Sequence, residues 1–163
     1  MSKSIKKKIL NSDIIINETH KKNEIIENNT DSNNLNLYKD IYGLDKGIIE
    51  LKLKDFVYKN KKLYINNNYF QENKGFIIFY TPWCKYCKKT SDMFIDLALS
   101  NVNIFNFGSV NLEDVKNGND YLSIYGNINK VPTLKYIDKD GVLINYDFEY
   151  NNDNLIYFIN INI

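Results

Sequence analysis

Apolar and polar positions along this chain fall into segments of two different periods. From Gly47, "IIELKLKDF" alternates apolar and polar residues, the two-residue period of a half-buried strand. "FVYKNKKLYI" places two such runs around Lys59, Asn60, Lys61 and Lys62, which predicts a hairpin. "GFIIFY", Gly75–Tyr80, is continuously apolar, β-branched and aromatic, as expected of a central strand buried on both faces. After it, "KKTSDMFIDLALS" carries Met93, Phe94, Leu97 and Ala98 on one face at helical spacing. "VNIFNFGSVNL" reads as a second strand, and "NGNDYLSIYG" as a short helix closed by Gly126. "TLKYID" and "VLINYDFEY" are alternating strands joined by the turn residues Asp138, Lys139, Asp140 and Gly141. "NDNLIYFINI" closes the pattern as an amphipathic helix with Asn152 or Asp153 as its N-cap.

The order β, hairpin, β-α-β-α-β-β-α predicts an α/β fold, a mixed β-sheet flanked by helices on both faces. The strand at Phe76 crosses through a helix to a parallel strand near Val102, and the last two strands are antiparallel. Residues 1–46 stand apart. They hold Lys6-Lys7-Lys8, Lys21-Lys22 and "ENNTDSNNLN", with no aromatic residue before Tyr38. Such composition buries too little apolar surface to offset chain entropy. A low-complexity tail, disordered or partly helical, is therefore expected ahead of a domain spanning 47–163. "DIII" and "NEIIEN" could form one amphipathic helix docking on that domain. The lone His20 lies in this polar stretch and is given no role.

Charge and composition narrow the function. With a formal net charge of +1, no global field selects nucleic acid or anionic membrane as a partner. All the positive charge is lysine, so the side chain best suited to bidentate phosphate recognition is absent. The abundance of Asn, Lys, Ile and Tyr fits an AT-rich coding sequence, common in large DNA viruses and some protists. Apolar runs near the basic start are two or three residues long, short of the roughly 7–15 of a signal peptide. Nothing approaches the ~20 apolar residues of a membrane span. These features predict a soluble, intracellular monomer, in host cytoplasm or virion if the gene is viral, where thiols are normally kept reduced.

The chemistry is concentrated in "FYTPWCKYCKK", Phe79–Lys89, which holds both cysteines of the chain, Cys84 and Cys87. A dithiol redox centre needs one exposed sulfur that is a thiolate near neutral pH and a second within disulfide reach, with Cα atoms roughly 4.4–6.8 Å apart. A strand running into a helix across Cys-x-x-Cys meets these conditions. Cys84 falls at the helix N-terminus, where unpaired N–H groups and the macrodipole favour negative charge, and Cys87 lies one turn further on. Lys85, Lys88 and Lys89 add positive charge around that turn, so a lowered pKa is expected for Cys84. Two other readings stay open at this point: half of a metal site, which would need a dimer to supply four ligands, or two inert thiols.

The same stretch resembles the active-site segment of the thioredoxin superfamily, closest to the Phe-Tyr-Ala-Pro-Trp-Cys version of protein disulfide isomerase domains. "VPTLKYIDKDG" resembles the second landmark of that family, an apolar residue, a cis-proline, Thr, a strand and a turn. The likeness runs from about residue 48 onwards. It implies a thioredoxin fold and a thiol–disulfide oxidoreductase acting on protein disulfides or thiols. Cys84 would be the nucleophile and Cys87 the resolving thiol. Trp83 would shield the pair, and Pro132 would sit in cis beside the sulfurs; Tyr86, outside the resemblance, reads either as a substrate contact or as an exposed helix residue. Val131 would offer its backbone to an extended substrate segment. No metal or organic cofactor is implied, and an unidentified reductase or oxidant would recharge the pair.

The departures are specific. The family's buried carboxylate lies six positions before the first cysteine, and Ile78 stands there instead. The helix-kinking proline is missing around Thr90–Asp92, and the arginine that many isomerase domains carry near the last strand has no counterpart. The middle pair is Lys85-Tyr86. These differences keep a rival alive, a thioredoxin-fold binding module with a vestigial dithiol.

Overall fold

The computed structural model of the protein describes residues 41–163. The expectations for "DIII", "NEIIEN" and His20 lie outside these residues. In chain order the strands are β1 (Ile49–Glu50), β2 (Phe56–Lys59), β3 (Lys62–Ile65), β4 (Gly75–Tyr80), β5 (Asn106–Asn111), β6 (Thr133–Ile137) and β7 (Leu143–Asn145). The α-helices are α1 (Lys85–Asn101), α2 (Tyr121–Tyr125) and α3 (Asn152–Asn162).

Five strands make one mixed sheet in the order β1-β5-β4-β6-β7. β1 and β4 flank β5 in parallel, while β6 and β7 continue the sheet antiparallel. β4 is central, and every one of its residues is buried, because each face of it meets a separate apolar cluster. Phe76, Ile78 and Tyr80 face a core shared with Phe94, Leu97 and Ala98 of α1 and Leu155, Phe158 and Ile159 of α3. Ile77 and Phe79 face the opposite core, built with Leu122 of α2 and with Phe56 and Leu63 of the β2–β3 hairpin. Helices therefore cover both faces, as the element order predicts. Gly108 on β5 allows close approach on the second face: a Cβ there would come within 2.7 Å of Leu51 and 2.9 Å of Phe70.

Four local readings differ from the structure, the simplest being "VLINYDFEY", of which only Leu143–Asn145 is strand. "IIELKLKDF" does not form one long strand. Only Ile49 and Glu50 pair with β5, and Leu53–Asp55 then turn as a 3-10 helix. That turn is stabilised by the Asp55 carboxylate accepting from the Lys52 N–H at 2.8 Å. The buried Asn119 side chain adds to it, accepting from the Leu53 N–H and donating to the carbonyls of Leu51 and Asn111. The N-cap of α3 is Asn151, one residue earlier than expected, and its side chain accepts from the Asn154 N–H at 2.9 Å. β5 starts only at Asn106, because α1 runs to Asn101 and a turn follows.

The segment before β1 also packs: Tyr42 is buried against Tyr80 and Phe94, with ring centroids 4.9 and 5.7 Å apart. After β5 the chain is tied back to β1 by Lys52, whose Nζ donates to Asp114 Oδ2 at 2.5 Å and also to Glu50. Burial alone would push the Asp114 carboxyl up, but hydrogen bonds from Lys52 and Asn117 and the lysine charge together hold it below its ordinary value. A carboxyl depressed by folding contributes stability above its unfolded pKa and loses it as pH falls through the lower folded value. Asp114→Asn is therefore expected to cost about 1 kcal/mol at pH 7. In urea melts across pH, the gap from the wild type should close towards acid, and a gap independent of pH would refute the ion-pair assignment.

Candidate active site

The dithiol sits where β4 hands the chain to α1. Thr81 to Trp83 form the connection, and the Cys84 N–H donates to the Thr81 carbonyl at 3.2 Å. Cys84 is the N-cap of α1: its extended backbone lets Sγ accept the Cys87 N–H at 3.1 Å, while its carbonyl accepts the Lys88 N–H. Cys84 and Cys87 are joined by a disulfide with Cα atoms 5.2 Å apart. The two are not equivalent. Cys84 retains 5% exposure and Cys87 none.

The structure brings most of the sequence-predicted residues to this point. The Val131–Pro132 peptide bond is cis, and the Val131 carbonyl oxygen lies 3.7 Å from Cys84 Sγ. Trp83, Lys85, Tyr86, Lys88 and Lys89 are all exposed around the mouth of the helix. Ile78 is fully buried on the α1 side of β4, and its register partner on β5 is Ser109, also fully buried. Among the described residues no Asp or Glu is buried. α1 runs unbroken over its 17 residues, consistent with the missing kink proline.

A groove of about 480 Å³ opens beside Pro132. Tyr86 borders it from α1, Lys130 and Val131 from the loop before β6, and Tyr146, Phe148 and Tyr150 from the segment after β7. The last three carry no motif, and sequence reasoning missed them. It also missed Glu113, which accepts a hydrogen bond from the Trp83 indole Nε1. The only sequence signal for Glu113 is its place just past β5, next to the Asp114 that Lys52 ties down.

Among the described residues, no three His, Cys, Asp or Glu side chains gather as a metal site, and no helix is long and apolar enough to cross a membrane.

A family model described as Thioredoxin matches residues 56–161, and the chain belongs to the thioredoxin family. With the Cys84–Cys87 disulfide, that membership supports thiol–disulfide oxidoreductase chemistry. No curated protein matches the sequence. The fold is similar to that of the J-Trx1 fragment of ERdj5, with 20% identity and a TM-score of 0.55, over 75% of this chain and 54% of that one. It is also similar to ERdj5 in crystal form II, with 19% identity and a TM-score of 0.57, over 76% of this chain and 15% of that one. Thioredoxin f2 of Chlamydomonas reinhardtii shares 20% identity with a TM-score of 0.51, over 71% of this chain and 95% of that one. The chain thus spans about half of the ERdj5 fragment and a small part of the longer ERdj5 chain.

Proposed function

We propose that this protein is a thiol–disulfide oxidoreductase that acts on protein disulfides or thiols through a mixed disulfide at Cys84. The observation that carries the reading is the asymmetry of the pair: Cys84 is the one of the two residues that keeps any exposed surface, and its Sγ accepts a backbone N–H at the mouth of a helix. A thiolate there is stabilised by that N–H and by the helix dipole, with Lys85 and Lys88 adding positive charge nearby. In the reducing direction, Cys84 thiolate attacks a substrate disulfide and releases one substrate thiolate. Cys87 then attacks Cys84 Sγ, releases the second, and leaves the enzyme disulfide. The oxidising direction is the reverse. The chemistry needs neither metal nor organic cofactor, and a separate reductase or oxidant recharges the pair.

Val131, Pro132 and Tyr86 are assigned to an extended substrate segment lying along the groove, and Trp83, steadied by Glu113, to shielding the sulfurs. The direction of electron flow follows from the reduction potential of the pair. A value near about −270 mV makes the protein a donor, and one near about −180 to −120 mV an oxidant or isomerase.

The test is turnover. The protein is expected to accelerate dithiothreitol-driven reduction of insulin disulfides well above dithiothreitol alone. A rate no higher than the thiol alone would instead support a binding module, the alternative favoured by Ile78 in place of an acid.

A further inference from the structure

Resolution of the mixed disulfide requires Cys87 to lose a proton, yet it is fully buried and no buried carboxylate is present among the described residues. Ile78 and its register partner Ser109, both fully buried, supply no carboxylate. What the same core does contain is tyrosine. Tyr42, Tyr80 and Tyr146 belong to one buried cluster with Cys84 and Cys87, and Tyr150 and Val131 pack against it. The Tyr42 ring bridges Tyr80, four residues before Cys84, and Phe94, two turns of α1 beyond Cys87. Tyr146 and Tyr150 also line the groove beside Pro132.

The hydroxyls of Tyr42, Tyr146 and Tyr150 are all buried, and none has a hydrogen-bond partner in the protein. An unmade hydrogen bond at a buried hydroxyl costs roughly 1–3 kcal/mol, so three in one core call for a reason. They also share a place in the fold: Tyr42 and Tyr146 lie in one cluster with Tyr150 packed against it, and Tyr146 and Tyr150 both border the groove. Groups so arranged suit ordered water making two to four bonds among them.

We propose that Tyr42, Tyr146 and Tyr150, linked through ordered water, form a neutral proton relay from the buried side of the dithiol to the substrate groove, in place of the missing carboxylate. The proposal rests on the oxidoreductase reading above. As Cys87 sulfur bonds to Cys84 and the Cys84–substrate bond breaks, the Cys87 proton passes into the inner end of the chain. An equivalent proton leaves at the groove, where the departing substrate thiolate takes it, so the relay ends with as many protons as it began. Burial raises the pKa of each of the three phenols. Each phenol therefore keeps its proton and can both donate and accept. Lys130 and Asp147 line the same groove but are exposed.

These are positioning residues, and the test separates their two possible contributions. Tyr150→Phe and Tyr42→Phe keep each ring and remove one hydroxyl of the water-linked chain, so both variants are expected to fold and to melt within a few degrees of the wild type. In stopped-flow single turnover with a disulfide peptide, formation of the Cys84 mixed disulfide should be unchanged. Its resolution by Cys87 should slow about tenfold, within the range that proton-transfer groups contribute. The wild-type resolution step should show a solvent deuterium effect with a curved proton inventory that becomes linear in the variants. Resolution within twofold of wild type, or equal slowing of both steps, would overturn the relay. Normal turnover by Cys84→Ser, in contrast, would overturn the oxidoreductase reading itself.

Discussion

Cys84→Ser is expected to reduce insulin-disulfide turnover to the uncatalysed rate. The loss should be complete because the substitution removes the sulfur of the only residue of the pair that keeps exposed surface, Cys87 having none. A serine hydroxyl at the same N-cap still accepts the Cys87 N–H, so the helix start and the fold are retained. What is lost is a nucleophile that ionises near neutral pH. Cys87→Ser separates the two steps. The first attack proceeds, the mixed disulfide has no internal thiol to resolve it, and covalent adducts accumulate that run as larger species without reductant and collapse with it. Full activity of Cys84→Ser would exclude the mechanism, and failure of Cys87→Ser to hold any substrate would remove Cys87 from the resolving step.

The dithiol could be read from sequence because all of its determinants are local. A continuous apolar strand, a proline, a tryptophan and a helical stripe of Phe94, Leu97 and Ala98 fix Cys84 at the helix start and Cys87 one turn inside it. The hairpin was equally legible: β2 and β3 pair Lys59 with Lys62, and the two residues between them, Asn60 and Lys61, both have positive φ. Where the reading fell short, the decisive bonds are long-range. The alternation of "IIELKLKDF" suits a strand, but Asn119, more than sixty residues away, holds the backbone of Leu51 and Leu53 and ends the pairing after Glu50. At α3 three consecutive residues can cap a helix, and periodicity alone does not choose among Asn151, Asn152 and Asp153. The partner of Trp83 and the tyrosines beside the groove carry no periodic signal. They become visible only when β5 and β7 are set in the sheet next to β4 and β6.

The largest expected loss of stability is at Phe76, the first large side chain of the central strand. Its ring lies 5.0 Å from that of Phe105, 5.2 Å from Phe158, 5.5 Å from Tyr146 and 6.3 Å from Phe107. One side chain thus joins β4, the turn before β5, β5 itself, the segment after β7 and α3. Phe76→Ala would leave a void walled by four rings held on separate elements, which cannot all close on it, so the cost should fall in the upper part of the roughly 3–5 kcal/mol found for buried aromatic deletions. For a domain of marginal stability that is a large share of the total, and the thermal midpoint should drop by at least about 10 °C. Phe76→Leu, which refills most of the volume, should recover more than half of the loss in urea denaturation. Tyr146, a wall of this void, is also a link in the proposed relay. Phe76→Ala should therefore slow the Cys87 step in the protein that remains folded, whereas a truncation in the opposite core, such as Leu122→Ala, should lower stability and leave the resolution rate of the folded fraction unchanged.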